Sequence, residues 1–166
     1  MKTEEKDLTI RPAQKGDLSE LARLLCQVLE LHHKGRPDLF RLDTRKYTDE
    51  ELLALIGREE RPVFVAADRE DHLLGYAFCI LSMPSESHIF HPRKELYLDD
   101  LCVEEGSRGL GIGKKLYAYV ENFAREQGCY HLTLNVWSCN PGAEKFYRAC
   151  GLIPQKITME KILETK

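Results

Sequence analysis

The sequence predicts one α/β domain, spanning residues 1–166, with a mixed and mostly antiparallel central sheet flanked by about four helices. Strand-like and helix-like segments follow in the order strand, two helices, three strands, helix, strand, helix, strand. A short polar turn joins the second and third strands, which predicts an antiparallel hairpin. A helix joins the fourth and fifth strands, so these two are expected to run parallel.

The first third of the chain predicts a strand and two helices. Residues 8–12 alternate between apolar and polar side chains and end at a proline. Asp17 and Glu20 have the spacing of a capping box, and apolar residues behind them recur every three or four positions to about Gly35. Thr48 begins a second capping box, which is followed by a shorter apolar run.

The hairpin occupies residues 62–81. Its first arm, 62–68, is rich in β-forming side chains, and its second arm begins at Leu73 after a polar turn. Gly75 in the second arm predicts a bulge or a close approach of another backbone.

The remainder predicts strand, helix, strand, helix and strand. An apolar strand at 96–103 leads through a glycine-rich loop into a helix that ends at Gly128. Residues 130–137 alternate strongly, as in a strand. Asn140 and Pro141 are typical of a helix start, and residues 158–163 are expected to form the last strand.

The glycine-rich loop has glycines at Gly109, Gly111 and Gly113, and the helix behind it carries its first apolar position at Leu116. A strand, a glycine loop and a helix start in this order direct backbone N–H groups at one spot, where proteins bind anions. A simple tight turn is the alternative use of these glycines. The sequence therefore points to an anion site at this loop.

The glycine spacing excludes two common phosphate loops. Counted from Gly113, the first glycine of a P-loop would fall on Arg108 and its Ser/Thr on Lys115. Counted from Gly109, the last glycine of a dinucleotide fingerprint would fall on Lys114. Neither nucleotide loop fits.

The loop instead reads Arg-x-x-Gly-x-Gly over residues 108–113, and it resembles the coenzyme A pyrophosphate loop of the GNAT superfamily of N-acetyltransferases. Residues 140–152 resemble that family's later block, Asn-x-x-Ala-x-x-Phe-Tyr-x-x-x-Gly-Phe, with Leu152 in place of the final aromatic residue. The opening at 10–13 and the order of elements are also similar to the family.

The resemblance implies an N-acetyltransferase that takes acetyl-CoA as its co-substrate and needs no metal. In this family the coenzyme lies between two parallel central strands that splay apart, here the strand ending at Val103 and the strand at 132–137. The residues that the resemblance assigns to coenzyme A are Leu101, Val103, Arg108, Gly109, Leu110, Gly111, Ile112, Gly113, Lys114, Asn140, Phe146 and Tyr147. Capping its own helix is the alternative role for Asn140.

The resemblance also implies three catalytic roles. The backbone N–H of Val103 binds the thioester oxygen, a contact that lowers a barrier by about 3 kcal/mol. Tyr147 protonates the leaving thiolate, because a phenol and a thiol have similar pKa values; its alternative role is a core aromatic beside Phe146. Asp99 takes the proton of the amine, since residues 97–100 resemble the Tyr-Leu-Glu-Asp of polyamine-acetylating members.

The identity of the base stays open between Asp99, Asp100 and a water chain. Neighbouring residues of a strand face opposite sides, so one acid is expected to face the acceptor and the other to face away. A structural alternative is that both acids are solvated or paired with Arg93. Direct attack by the amine in a ternary complex is expected, with Cys102 as a core residue rather than an acyl carrier.

The acceptor is expected to be an amine of a small molecule or a protein. The acids near the end of the central strand favour a cation, whereas basic residues between 33 and 45 favour some negative charge, and the sequence leaves this conflict open. A non-catalytic acyl-CoA-binding or regulatory module on the same fold is the alternative function. The oligomeric state is open, a homodimer being one option.

Composition excludes several other classes. The formal net charge of −3 predicts no broad basic surface for nucleic acid. The six cysteines form no Cys-x-x-Cys pair, and the histidine pairs His32-His33 and His88-x-x-His91 lack the spacing of a metal site. No apolar run approaches the roughly 20 residues of a membrane span, and residues 1–7 are charged, so we expect a cytoplasmic protein.

Overall fold

The structure is a computed structural model and describes residues 8–164. Residues 1–7, whose charge contributed to the expectation of a cytoplasmic protein, lie outside this range. The chain forms two compact units, the first ending at Asn135 and the second beginning at Val136, and each is described by itself.

The first unit contains the predicted mixed sheet. Its strands are β1 (Thr9–Pro12), β2 (Val63–Ala67), β3 (Leu73–Ser82), β4 (Glu95–Val103) and β5 (His131–Thr133), and its helices are α1 (Leu18–Gly35), α2 (Asp49–Leu55) and α3 (Ile112–Glu126). The strands lie side by side in chain order. β1 to β4 pair antiparallel and β4 with β5 parallel, as the hairpin and the helical crossover predicted.

Helices cover both faces of this sheet. Apolar side chains of α1 and α2 pack with the face that carries Val65, Tyr76 and Cys102. On the other side, Phe64 makes edge-to-face contacts with Tyr119 and Phe123 of α3. The sheet is therefore buried between two helical layers, which holds β4 and the start of α3 in fixed positions.

The capping box predicted from the sequence forms at the start of α2 but not at the start of α1. The Thr48 hydroxyl accepts a hydrogen bond from the Glu51 N–H, and the Glu51 carboxylate accepts one from the Thr48 N–H, as predicted. The predicted capping box at Asp17 is wrong. The Asp17 carboxylate instead pairs with Arg11 of β1, and Glu20 accepts a hydrogen bond from the Leu73 N–H, because long-range partners replace the local cap.

Gly75 has both of its predicted roles. The pairing of β2 with β3 shifts by one residue beside it, between Ala66 and Ala67. A Cβ at Gly75 would lie 2.6 Å from the carbonyl oxygen of Cys102, so β4 approaches β3 more closely here than a side chain allows.

The second unit contains α4 (Pro141–Ala149) and the C-terminal segment. The Asn140 side chain accepts a hydrogen bond from the Ala143 N–H, and Gly151 follows the helix in a left-handed conformation. Of the two strands predicted towards the C-terminus, one forms only in part and the other does not form. The strand expected at 130–137 is limited to β5, and the strand expected at 158–163 does not form within the described residues, because a strand pattern becomes a strand only with a neighbour to pair with.

Candidate active site

The parallel strands β4 and β5 separate part-way along their length. They pair at Glu95, Leu96 and Tyr97, and the last partner is Thr133, whereas β4 itself continues to Val103. Beyond the ladder, the Asn135 side chain donates a hydrogen bond to the Tyr97 hydroxyl. The second half of β4 therefore has a strand partner on its β3 side only, among the residues that the structure describes.

The unpaired edge of β4 presents alternate backbone N–H groups. The N–H of Glu104 donates to the carbonyl oxygen of Leu74, so it points towards β3. Because hydrogen-bonding groups alternate along a strand, the N–H groups of Val103 and Leu101 point the other way, to the side that β5 has left. Two predicted coenzyme-binding residues thus carry N–H donors at an open sheet edge.

The glycine loop has the backbone that an anion site needs. Gly109 and Gly111 have φ angles of 80° and 78°, which side chains rarely tolerate, and a Cβ at either would enter open space. Arg108 and Leu110 are exposed, while Ser107 and Ile112 are buried and hold the two ends of the loop.

The first turn of α3 completes this loop. The first intrahelical hydrogen bond here runs from the Lys115 N–H to the Gly111 carbonyl, so the N–H groups of residues 111–114 precede the helical ladder. Their dipoles and the bare glycine backbone suit a diphosphate, and the predicted residues Gly109, Gly111 and Gly113 lie together in this loop. The donor set fits the diphosphate of coenzyme A.

A bulge in β4 changes the directions of the two adjacent acids. Phe78 of β3 pairs with Asp100 and the next residue, Cys79, pairs with Leu98, which leaves Asp99 as the extra residue. The prediction that Asp99 and Asp100 face opposite sides is therefore wrong. A bulge interrupts the alternation of a strand, and both carboxylates reach the same group of aromatic side chains.

Asp99 is bound by two side chains of the segment before α2. Lys46 Nζ lies 2.7 Å from Asp99 Oδ2, and the Tyr47 hydroxyl donates to the same oxygen over 3.4 Å. Burial lowers the pKa of Lys46, but the hydrogen bond and charge of Asp99 outweigh it and the pKa is raised. The partner predicted for these acids, Arg93, lies instead over the ring of Tyr130.

Asp100 is held by a tyrosine of β3. The hydroxyl of Tyr76, which is fully buried, donates to Asp100 Oδ2 over 2.9 Å. Burial raises the pKa of Asp100, although Lys46 and the Tyr76 hydrogen bond act against it. The rings of Tyr76 and Tyr47 both pack on Phe78, so the hydrogen-bond partners of the two acids belong to one group of aromatic side chains.

Cys102 and the histidines behave as structural residues. Burial raises the pKa of the Cys102 thiol to about 12, which keeps it protonated and unsuited to attack. His32 stacks on Phe40 with ring centres 5.0 Å apart, and His33 Nδ1 lies 2.7 Å from the Phe40 carbonyl oxygen. These contacts hold both imidazole rings against Phe40.

A pocket of about 1000 Å³ lies between α1 and residues 42–50. Charged residues of both signs line it, among them Glu30, Lys34, Arg45 and Asp49, and Tyr47 forms part of its wall. Tyr47 also contacts Asp99, so this side chain lies between the pocket and that acid.

The second unit contains the remaining predicted residues, Asn140, Phe146 and Tyr147. Asn140 caps α4, which is one of the two roles expected for it. Phe146 and Tyr147 are both partly exposed and pack edge to face, with ring centres 5.2 Å apart.

Sequence reasoning missed Lys46, Tyr47 and Tyr76. Lys46 precedes Asp99 by 53 positions, and only the register of β3 with β4 places Tyr76 at Asp100. No local motif signals either pair. A weak signal was the capping box at Thr48, which fixes the start of α2 directly after Lys46 and Tyr47.

Comparison with known proteins identifies the family. The profile of the Acetyltransferase (GNAT) family matches residues 26–152. The chain belongs to this family. A mutant of the BH1408 protein from Bacillus halodurans has a solved structure that is 32% identical, with a TM-score of 0.90, and the match covers 94% of this chain and 99% of that one. The predicted GNAT fold is thereby confirmed.

Characterised relatives are acetyltransferases. Thialysine N-epsilon-acetyltransferase from Bos taurus is 28% identical over 156 residues, which are 86% of this chain and 82% of the relative. Streptothricin acetyltransferase from Streptomyces lavendulae is 35% identical over 88 residues, 53% of this chain and 42% of the relative. These GNAT relatives support an acetyltransferase enzyme rather than the non-catalytic module that the sequence left as the alternative.

Within residues 8–164, no helix combines the length and apolar character that crossing a bilayer requires.

Proposed function

We propose that the protein transfers the acetyl group of acetyl-CoA to a primary amine by direct attack in a ternary complex. The observation that carries this proposal is the open edge of β4, which runs from the bulge at Asp99 to the glycine loop. β4 carries the acid Asp99 and then the backbone N–H donors of Leu101 and Val103, and the glycine loop for the diphosphate follows it in the chain. The match of the GNAT profile to both units supports treating residues 1–166 as a single acetyltransferase domain.

Coenzyme A is proposed to bind along this edge and loop. Backbone N–H groups of residues 109–114 receive the diphosphate, and the N–H groups of Leu101 and Val103 are available to the pantetheine arm in the manner of an added strand. Arg108, Leu110 and Ile112 shape the loop, while Asn140, Phe146 and Tyr147 are assigned from the family resemblance. Acetyl-CoA supplies a thioester, which is an activated form of the acetyl group.

Three residues are proposed to act on the reacting atoms. Asp99 accepts the proton of the acceptor ammonium, the Val103 N–H stabilises the negative charge on the carbonyl oxygen, and Tyr147 donates a proton to the departing thiolate. Asp99 and Val103 are four residues apart, about 13 Å along an extended strand. A water relay is therefore proposed to link Asp99 to the amine.

The acceptor is proposed to be a small cationic amine. Two of the basic residues that argued for an anionic acceptor have local acidic partners, since Arg36 pairs with Asp38 and Arg45 with Asp49. Two carboxylates remain at the β4 bulge, and Lys46 shows that this place accommodates an ammonium. The amine substrates that the names of the bovine and Streptomyces relatives describe agree with this class.

The test is a thiol-release screen of the full chain with acetyl-CoA against classes of amines. We expect turnover with diamines or lysine-like amines and little turnover with amines that carry a phosphate. Tight binding of acetyl-CoA without turnover on any amine would contradict the proposed catalysis. A preference for acidic acceptors would contradict only the proposed acceptor class.

A further inference from the structure

Arg61 begins a chain of hydrogen bonds that ends at the proposed base. Its guanidinium donates from Nη2 to the Tyr47 hydroxyl over 3.3 Å, and that hydroxyl donates to Asp99 Oδ2 over 3.4 Å. Arg61 lies between α2 and β2, whereas Asp99 is the bulge residue of β4. One phenol therefore joins a cation before β2 to the acid of β4.

The chemistry of the three side chains fixes the direction of these hydrogen bonds. A guanidinium has N–H donors and no acceptor, so the Tyr47 oxygen accepts from Arg61. The single hydrogen of the phenol is then available to Asp99, whose ionised carboxylate can accept but not donate. Because a donor to a carboxylate favours its ionised form, this order supports Asp99 in the state that a base requires.

Tyr47 is held in place independently of its hydroxyl. Its ring stacks on Phe78 with ring centres 5.5 Å apart, and the side chain packs partly buried against the core. Burial raises the pKa of Tyr47, although the charges of Lys46 and Arg61 act against it, so the phenol keeps its proton at neutral pH. The two hydrogen bonds are long, as catalytic contacts often are before the substrate binds.

Other charged or titratable groups act on Asp99 or on its neighbours. They are Lys46 before α2, Cys79 of β3, Asp100 of β4 and His32 of α1. Lys46 is the nearest of them, 2.7 Å from Asp99 Oδ2. Burial raises the pKa of the Cys79 thiol to about 12, so it stays uncharged. Replacing Arg61 changes none of these groups, and a variant at this position therefore tests the hydrogen-bond chain itself.

We propose that Arg61 and Tyr47 are positioning residues for acetyl transfer, which keep Asp99 ionised and leave its Oδ1 oxygen for the acceptor ammonium. Both donors to Asp99 in the described part of the chain, Lys46 and Tyr47, contact Oδ2. Arg61 acts through Tyr47, and Tyr47 acts through Asp99, without contact to the reacting atoms. The inference rests on the proposed function, because it takes Asp99 as the base.

The first experiment is a double-mutant cycle on the full chain, measured by thiol release with acetyl-CoA and a diamine. Tyr47→Phe keeps the stacked ring and loses the hydroxyl, so we expect kcat/KM to fall about tenfold or more. Arg61→Met should lower it about threefold or more. The double variant should be no slower than Tyr47→Phe, because Arg61 acts through the hydroxyl that is already absent. Losses that multiply in the double variant would overturn the proposal.

Arg58→Met is the matched control for the loss of an arginine in this segment. The Arg58 side chain is 53% exposed and pairs with Glu60, away from the hydrogen-bond chain. We expect it to retain the wild-type kcat/KM. A loss equal to that of Arg61→Met would overturn the proposal, because any cation of the segment would then serve.

The second experiment compares the pH–rate profiles of the same variants. Without the donor the ionised carboxylate is less favoured, so the acid limb of kcat/KM should move to higher pH in Tyr47→Phe and, by less, in Arg61→Met. A structural role alone would lower the rate by the same factor at every pH. Profiles that keep the wild-type acid limb would therefore overturn the proposal.

Urea unfolding separates a failure of this inference from a failure of the proposed function. The two hydrogen bonds exist without substrate, so the unfolding midpoints of the cycle should also be non-additive. Non-additive midpoints with losses of kcat/KM that multiply would overturn the positioning role while the contacts stand. Wild-type turnover in Asp99→Asn, or no turnover with any amine, would contradict the proposed function and overturn this inference with it.

Discussion

Lys46 and Asp99 form an ion pair between the segment before α2 and the bulge of β4, with Nζ 2.7 Å from Oδ2. The bulge interrupts the alternation of β4 at Asp99, and the carboxylate of this extra residue contacts Lys46 and Tyr47. The proposed base thus already holds an alkylammonium, the same group that a cationic acceptor would bring.

Replacing Lys46 should strengthen binding of the acceptor. In Lys46→Met the acceptor no longer competes with an internal ammonium, so we expect the KM for a cationic amine to fall about three- to tenfold. Lys46→Arg keeps the charge and should retain the wild-type KM. Steady-state thiol release measures both variants, and a higher KM in Lys46→Met would show that Lys46 assists the acceptor instead.

Replacing Asp99 should impair proton removal. We expect Asp99→Asn to lower kcat at neutral pH by about 10²- to 10⁴-fold, the range of general-base contributions. The deficit should shrink as the pH approaches the pKa of the amine, because the free amine needs no base. A pH–rate profile checks this, and Asp100→Asn with the larger loss would assign the base to Asp100.

Replacing Tyr147 should affect turnover without affecting coenzyme binding. We expect Tyr147→Phe to lower kcat by tenfold or more, since the phenol proton is lost while the ring remains. Calorimetry should give an unchanged Kd for acetyl-CoA. Tyr130→Phe, an exposed tyrosine outside α4, is the matched control. Equal turnover of Tyr147→Phe and wild type would remove this residue from the mechanism.

Replacing Gly111 should weaken coenzyme binding for two separable reasons. Gly111→Asp places a side chain at φ 78° and a negative charge beside the diphosphate, so we expect a Kd for coenzyme A at least about tenfold higher. Gly111→Asn places a side chain of the same size at the same φ without the charge, so its loss should be smaller. Gly16→Asp, at a glycine without positive φ, should bind normally by calorimetry.

Asp100 and Asp17 should give stability changes of opposite sign with pH. Burial raises the pKa of Asp100, so the folded chain binds the carboxyl proton more tightly than the unfolded chain does. At pH below the ordinary value of 3.8 both states are protonated, and stability falls as the pH rises through the raised pKa. Asp100→Asn keeps an acceptor for Tyr76, and its stability relative to wild type should therefore increase over this interval.

Asp17 is the matched comparison. Burial acts to raise the pKa of Asp17, but hydrogen bonds from Arg11 and the Gln14 N–H outweigh it and lower the pKa. The ionised carboxylate thus stabilises the folded chain above pH 3.8, and this contribution is lost as the pH falls through the lowered pKa. Asp17→Asn should cost stability at neutral pH and little in strong acid. Urea unfolding at several pH values measures the free energy of unfolding of both variants and of the wild type. If the free energy of unfolding of each variant changed with pH in parallel with that of the wild type, the proposed pKa shifts of Asp100 and Asp17 would be contradicted.

The fold was largely predictable because its signals are local. The Thr48 capping box, the glycines around Gly111 and the stop at Gly128 each depend on the conformation of a few neighbouring residues. The parallel pairing of β4 with β5 could be predicted from the helical crossover alone. The prediction at Asp17 was wrong because its carboxylate finds a better partner, Arg11, in a neighbouring strand.

The sequence by itself determined the family, the order of elements and the anion loop, since these depend on short-range spacing and backbone freedom. Only the tertiary structure decided what surrounds the acids. Pairing of β3 with β4 creates the bulge at Asp99, and this bulge brings Asp99 and Asp100 to Lys46, Tyr47 and Tyr76. Register and ion pairing between residues distant in the chain carry no local signature, because their free energy arises only when the sheet is assembled.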